Sequence, residues 1–354
     1  MCSFAVIFFA ISPLVNFGKN LFYLIALLTM IEDVFPPVKL TNAQIQAHVE
    51  GFLKSIQHKR KETVGTYSRA LQEFVVFFAT DQHFEFRVKD VEWYRKHLAE
   101  EKKMKNASIA TYMTSLRRLC QYLVEISVLT KNPAQRVQGG RRPTAHNRTF
   151  LSLDEVETLL KSIDTSTEAG LRDTALVRAM IGCSCSEVEL ANLDVGDMQQ
   201  VGEHWYLLVQ GKGRSIKDER IPAALSTITA IQAYIECRMN ARPTNKTVPF
   251  VPSEPVFVSY SNRSFRQRMT VRGVRESINV HLKESGVQQN RLGKLTPFSL
   301  RHTSGILMAE SGASVEELMT RMRIGWRPTA MLYFKQKGKL QSHKYTDALS
   351  LIAL

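Results

Sequence analysis

The sequence predicts a mainly α-helical protein of two domains, the second of which carries a small antiparallel sheet. Residues 41–125 have apolar positions with helical spacing throughout. Residues 138–148 combine glycine, proline and arginine, which is typical of a linker. Helical patterns return after this segment and surround one pair of strands, and a chain of 354 residues is long enough for two cores.

Composition indicates a polyanionic partner. The chain has 47 Lys and Arg against 33 Asp and Glu, a formal charge of +14. Nucleic acid is the simplest partner for such an excess, and a merely basic soluble protein is the alternative. The five cysteines are irregularly spaced, and Cys183 and Cys185 do not form a CxxC pattern. Reduced thiols in a cytoplasmic protein are therefore expected.

Residues 1–30 form an apolar N-terminal extension in which Lys19 is the only charged residue. Its two apolar runs are each short for a membrane span of about 20 residues. A weak membrane anchor, an extra buried helix and translation from an upstream start are the three interpretations. We favour the third, because soluble sequence follows directly after Met30, and we expect no stable membrane association.

Residues 41–130 predict a bundle of four helices, the first of which is capped by Thr41. Basic side chains lie beside the apolar stripes. Each basic cluster by itself is typical of a solvated face, but together they predict contacts with DNA phosphates. The candidate DNA-binding residues of this domain are Lys59, Arg60, Lys61, Arg117 and Arg118.

A basic linker is predicted over residues 131–150, with Arg141, Arg142 and Arg148 as further DNA-binding candidates. The second domain, residues 151–354, opens with a capping box between Ser152 and Glu155. Its strand pair flanks a Gly-Lys-Gly turn, with strands over His204–Gln210 and Arg220–Pro222. Further helices are expected near residues 153–163, 170–181, 224–240, 270–285, 299–311 and 314–323.

Three segments of the second domain carry residues suited to phosphate chemistry. Lys212 stands at the glycine-flanked tip of the hairpin, Arg301 and His302 open a helix that begins at Pro297, and Tyr333 follows Gly325-Trp326. Each has a plain alternative when taken alone. The lysine segment could be an ordinary hairpin turn, and the tyrosine could be a core residue.

In this order the three segments resemble the catalytic domain of tyrosine recombinases, the phage integrase family. The matching residues are Lys212, then Leu300-Arg301-His302-Thr303, then Gly325-Trp326 and finally Tyr333. The resemblance implies a SAM-like core-binding domain followed by a catalytic domain with the DNA breaking-rejoining enzyme fold.

The resemblance also implies site-specific DNA recombination or integration, as in a mobile element, through a 3′-phosphotyrosyl intermediate. Tyr333 would attack a DNA phosphate, Arg301 would stabilise its charge, and Lys212 would protonate the leaving oxygen. His302 and Trp326 would orient and enclose the phosphate. No metal or cofactor is implied. The implied partners are double-stranded DNA, further copies of the chain in a tetramer, and possible partner recombinases. The apolar residues 349–354 either join such copies or pack within their own domain.

Two positions depart from the family pattern. Ser184 stands where the first catalytic arginine is expected, and Phe298 stands where a histidine is expected. Losing one preorganised donor typically costs about 100- to 1000-fold in rate, so impaired catalysis is expected. Arg178 is six positions before Ser184 and should point elsewhere on its helix. The alternatives are a non-catalytic DNA-binding protein derived from a recombinase and, on the apolar extension alone, a membrane-tethered protein.

Overall fold

The computed structural model describes residues 37–80, 83–140, 149–211, 216–241, 250–289 and 293–335. Several predicted features lie outside the described residues. They are the apolar extension, Arg141, Arg142, Arg148, Lys212 and the C-terminal residues 349–354. The chain divides into two compact units between Pro143 and Thr144. No helix in the described part of the chain is long and apolar enough to cross a membrane.

The first unit is a four-helix bundle. Thr41 caps its first helix, as the sequence predicts, and the structure adds a capping box with Gln44. An aromatic cluster fills the centre, where Phe74 contacts Phe84 and Tyr94 edge-to-face. The helices are α1 (Asn42–Ser55), α2 (Lys61–Thr80), α3 (Val88–Glu100) and α4 (Asn106–Glu125).

The second unit contains eight of the helices and the three strands of the described chain, around one core. Its first helix is capped by Ser152 and Glu155, as the sequence predicts. The order is α5 (Leu153–Lys161), α6 (Glu168–Gly182), α7 (Glu187–Ala191), β1 (Met198–Val201), β2 (His204–Val209), β3 (Glu219–Ala223), α8 (Leu225–Asn240), α9 (Val271–Glu284), α10 (Pro297–Glu310), α11 (Val315–Arg321) and α12 (Arg327–Phe334).

The strands form one antiparallel sheet in the order β1-β2-β3. Leu207 of β2 pairs with Met198 on one side and with Ile221 on the other. Lys217 lies at the base of the β2–β3 connection, where its ammonium group binds Asp194 and Asp197. The β3 end of this connection is therefore fixed to the segment before β1 by ion pairs.

The predicted fold class is confirmed: a helical bundle precedes a mostly α unit with a small antiparallel sheet. Three elements were not predicted, namely β1, α7 and α12. Helix α10 begins at Pro297, as the proline predicts and two residues before the helical pattern near residue 299, and the Thr296 backbone N–H donates to Ser299 Oγ at this end. Most of α10 is buried, so it is a central helix of the unit.

Candidate active site

Helix α10 places Arg301 and His302 in the interior of the second unit. The imidazole of His302 is fully buried beside Phe150. Ser304 and Gly305, about one helical turn further along α10, are buried as well. Arg301 and His302 therefore both lie in the packed interior of the second unit. Because they are adjacent on α10, their side chains have different neighbours.

Tyr333 lies in α12 and packs against α10. Its ring is 2% exposed, and its centroid is 4.8 Å from that of His302. A Cβ atom added at Gly305 would come within 2.5 Å of the tyrosine ring and within 2.6 Å of the sulfur of Met322. This close approach requires glycine at position 305. The structure thus brings Tyr333 and His302 together, with the phenol ring in the core.

Arg301 is held by one carboxylate and one backbone carbonyl. Its Nη1 donates to Glu189 Oε2 over 3.1 Å, and its Nη2 donates to the carbonyl of Met322. The Arg301 side chain is 11% exposed. Burial and the nearby Arg323 lower the pKa of Arg301, whereas Glu189 raises it. The guanidinium group therefore sits in a region that already contains a second cation.

Ser184 is fully buried and cannot reach solvent in this state. Its Oγ lies 2.6 Å from the Oγ of Ser304 in α10. Its backbone is left-handed, with φ of +51°, which is uncommon for a residue with a side chain. The position at which the family pattern has an arginine is therefore a tight turn between α6 and α7 that contacts the core.

An arginine does occupy the space beside Ser184, and it is Arg323. Its Nη2 donates to the Ser184 carbonyl over 2.7 Å and to Glu189 Oε2 over 2.6 Å. Its Nε donates to Glu189 Oε1, also over 2.6 Å. Burial alone would raise the pKa of Glu189, but Arg323 and Arg301 outweigh it, so this pKa lies below its ordinary value.

Sequence reasoning missed Glu189 and Arg323. They are 134 positions apart, and no spacing rule links residues at that distance. One local signal was present, because Ser186-x-x-Glu189 is a capping box that starts α7. Arg178, by contrast, lies at a small open cavity beside Gly182 and Thr227. Its side chain remains half-buried there, and burial lowers its pKa.

The other predicted site residues have different environments. Trp326 is half exposed and forms the N-cap of α12, whereas Phe298 is partly buried in the first turn of α10. Lys212 lies outside the described residues. The described structure therefore brings together Arg301, His302 and Tyr333, with Trp326 at the start of the helix that carries the tyrosine.

The basic residues of the first unit divide into two groups. Lys59 and Arg60 are exposed between α1 and α2, Lys61 is exposed at the start of α2, and Arg118 is exposed on α4. Arg117 donates to the carbonyls of Ala134 and Val137 and so fixes the segment after α4. Its hydrogen bonds are thus part of the bundle.

Comparison with known families gives two matches. The model of the phage integrase family matches residues 149–334, and that of the phage integrase N-terminal SAM-like domain matches residues 45–128. Tyrosine recombinase XerD of Listeria innocua serovar 6a (strain ATCC BAA-680 / CLIP 11262) is 28% identical over 265 residues, covering 73% of this chain and 83% of that protein. Both units thus have relatives of the same kind.

Solved structures share the fold at low sequence identity. XerH site-specific recombinase bound to palindromic difH substrate, a post-cleavage complex, matches with a TM-score of 0.62 and 16% identity over 85% of this chain and 83% of that one. A lambda integrase dimer bound to a COC′ core site matches with a TM-score of 0.61 and 15% identity over 84% of this chain and 97% of that one.

Proposed function

Because the chain belongs to the phage integrase family, whose model covers residues 149–334, we propose that it is a tyrosine recombinase acting on double-stranded DNA. The proposed activity is site-specific exchange of DNA strands. We propose that this exchange integrates a mobile element into DNA. The net charge of +14 supports a DNA partner. Relatives that are named tyrosine recombinases cover both units.

The proposed chemistry is transesterification through Tyr333. Its phenolic oxygen would lose its proton to solvent, attack a DNA phosphorus and form a 3′-phosphotyrosyl bond, while the bond between phosphorus and the 5′-oxygen breaks. That oxygen leaves with a proton as a free hydroxyl group. A 5′-hydroxyl of another strand can then attack the same phosphorus and release the tyrosine. Each step exchanges one phosphate ester for another, so the proposal needs no metal, cofactor or energy source.

The other predicted residues take supporting roles. Arg301 would bind the non-bridging oxygens and stabilise the charge that develops on them. His302 and Trp326 would position and enclose the phosphate, and Lys212 would give the proton to the leaving oxygen. In support of the arginine role, Arg301 uses two of its five N–H groups for contacts among the described residues, which leaves three for a phosphate.

The observation that carries this proposal is the contact between Tyr333 and His302 beside Arg301 on α10. This contact joins residues of two distant motifs, and it supports the proposal that both motifs serve one phosphate site. The buried ring describes a closed state, and α12 has to move before the phenol can reach DNA. The need for this movement, together with serine at 184 and phenylalanine at 298, supports a slow or impaired reaction.

We further propose that both units contact the duplex, with the first unit as the core-binding domain. Exposed Lys59, Arg60, Lys61 and Arg118 would contact phosphates, joined by Arg141, Arg142 and Arg148 of the linker. Assembly as a tetramer on paired sites, alone or with a partner recombinase, would complete the exchange. The DNA-bound lambda integrase dimer with the same fold supports assembly on DNA.

The test uses DNA that the protein itself selects. Rounds of binding to a random duplex pool would supply an enriched duplex, and a nick near its centre would let the cleaved end diffuse away and trap the covalent intermediate. We expect a slowly formed protein–DNA adduct that survives denaturant, and none with Tyr333→Phe. An adduct of equal yield in that variant would contradict the role of Tyr333.

A non-catalytic DNA-binding protein is the second candidate function. The buried Ser184 at the position of an expected arginine favours it. In that case the wild-type chain binds the enriched duplex and yields no adduct at any time. Tight binding that is unchanged in Tyr333→Phe, without adduct, would identify this function.

A further inference from the structure

The carboxylate of Glu189 is the centre of a buried charge cluster. It is bound through both oxygens by Arg323, and Oε2 also accepts from Arg301 Nη1 and from the backbone N–H of Ser186. The glutamate is 6% exposed. A buried carboxylate with this many donors remains ionised. One negative charge thus lies between two positive charges.

The two arginines differ in how many donors they have left. Arg323 uses four of its five N–H groups, on Glu189 twice, on the Ser184 carbonyl and on the Arg321 carbonyl. Its side chain is 4% exposed. Arg301 retains three N–H groups without a contact among the described residues. Arg323 is therefore fixed in place, and Arg301 is the arginine with donors available for a phosphate.

The backbone reinforces this arrangement. Arg323 and Ser184 both have φ of +51°, a conformation that side chains disfavour, and a hydrogen bond joins them directly. Such backbone strain persists only where the surrounding structure holds it, and it is concentrated at functional sites. The surrounding structure thus holds two strained residues so that the Arg323 side chain enters the space beside Ser184.

Arg323 determines the net charge of the cluster that contains Glu189 and Arg301. Without it, Glu189 would have Arg301 as its only guanidinium partner, and that pair would be neutral. With Arg323 present, its positive charge neutralises the carboxylate of Glu189, so the positive charge of Arg301 is not neutralised within the cluster. The negatively charged phosphodiester of DNA is attracted by this net positive charge far more strongly in a buried site than in water.

We propose that Arg323 is a positioning residue of the strand-transfer site, which neutralises Glu189 and holds the Ser184 turn so that Arg301 keeps its charge for the DNA phosphate. This inference rests on the proposed function. It assigns to a residue after α11 part of the electrostatic role that the arginine expected at position 184 would have served. Arg323 itself does not touch the phosphate.

Single and double substitutions distinguish this electrostatic role of Arg323 from a purely structural one. Arg323→Leu leaves Glu189 to neutralise Arg301, whereas Arg323→Leu with Glu189→Leu removes both the cation and the anion and restores the charge of Arg301. The hydrogen bonds from Arg323 to Ser184 and Arg321 are absent from both variants. If those bonds were the whole role of Arg323, the double variant would be at least as impaired as the single variant.

The experiment measures adduct formation and affinity on the enriched, nicked duplex for these variants. We expect Arg323→Leu to slow adduct formation about 100-fold, the typical cost of losing one charged stabilising group. We expect its affinity for the duplex to fall about tenfold, as for the loss of one charged hydrogen bond. The double variant should return both values to within about threefold of wild type, because an apolar pair can replace a buried ion pair.

Arg272→Leu is the matched control, since Arg272 pairs with Glu276 on an exposed face of α9 and should change neither value. Arg323→Lys keeps the positive charge and loses the two-pronged contact with Glu189, so its adduct rate and affinity should lie between those of wild type and Arg323→Leu. If Arg323→Leu does not unfold cooperatively, Arg323→Lys takes its place in the comparison. A double variant as slow as the single one overturns the inference. If wild type binds without forming adduct, the proposed strand transfer fails, and the affinities alone decide the role of Arg323.

Discussion

The ring of Tyr333 lies against the imidazole of His302, with 4.8 Å between their centroids, and closes over Gly305 in the same helix. The proposed nucleophile is therefore packed as a core residue of the second unit. Helix α12 therefore has two roles, because it completes the core of the second unit and carries the phenol of Tyr333. Conditions that loosen α12 should expose the phenol.

Substitution of Gly305 tests this packing. Gly305→Ala places a methyl group within 2.5 Å of the Tyr333 ring, so the ring or α12 must shift. We expect a loss of about 1–3 kcal/mol in the free energy of unfolding, as for other overpacked cores. Nitration of Tyr333 by tetranitromethane should rise, since the displaced ring reaches solvent.

Gly65→Ala is the control for this prediction, because the residue is inside α2 and its added Cβ would have no described atom within 4 Å beyond its own helical backbone and chain neighbours. It should raise stability by about 0.5–1 kcal/mol through helix propensity. Equal stability and equal Tyr333 nitration in Gly305→Ala and wild type would contradict the closed packing described here.

Ser184→Arg is the obvious attempt to restore the family pattern, and the structure predicts its cost. The Ser184 side chain is fully buried against Ser304, and Arg323 already fills the adjacent space. An added arginine must therefore displace core atoms, and we expect a loss of about 1–3 kcal/mol in unfolding free energy by chemical denaturation. A variant as stable as wild type would show that the turn can open to admit the side chain.

The pH dependence of stability follows from Glu189, whose pKa is held below its ordinary value by Arg323 and Arg301 despite burial. A depressed pKa in the folded state contributes stability above the unfolded value of 4.5, and this stability is lost as pH falls through the folded pKa. Melting temperatures measured from pH 7 downward should therefore fall less steeply for Glu189→Gln than for wild type below pH 4.5. Glu276→Gln, on an exposed face, should follow the wild-type curve, and parallel curves for all three proteins would refute the prediction.

The linker arginines give a prediction about sequence preference. Replacing Arg141, Arg142 and Arg148 with Gln should weaken binding to the enriched duplex and to an unrelated duplex by the same factor, because interactions with phosphates carry no sequence information. The slope of log affinity against log salt should become shallower by about 0.9 for each phosphate that is no longer neutralised by an arginine. A weakening confined to the enriched duplex would assign these residues to base recognition.

Much of the fold was predictable because its signals are local. Capping boxes at Thr41 and Ser152 and apolar stripes of helical spacing set the helix starts and the buried faces. Helix α7 has five residues, too few for periodicity to be visible, and β1 has four. Helix α12 was missed although Pro328 lies in its first turn, where proline favours a helix start.

The site was predictable only in part, for a physical reason. The motif residues Arg301, His302 and Tyr333 were found by their order along the chain, and the contact between the last two depends on tertiary packing. The Glu189–Arg323 pair has no motif, and its buried charges are recognisable only once the fold brings α7 beside the segment after α11. Burial of Tyr333 was likewise invisible, since a core tyrosine and a nucleophile look the same in a sequence.

Identification of the residue that joins the DNA tests the central claim most directly. The adduct trapped on the nicked duplex is digested with nuclease and trypsin, and the peptides are analysed by mass spectrometry. The account predicts that the peptide spanning residues 324–335 carries a nucleotide phosphate on Tyr333. A nucleotide on any other residue, or an unmodified 324–335 peptide from a genuine adduct, would contradict it.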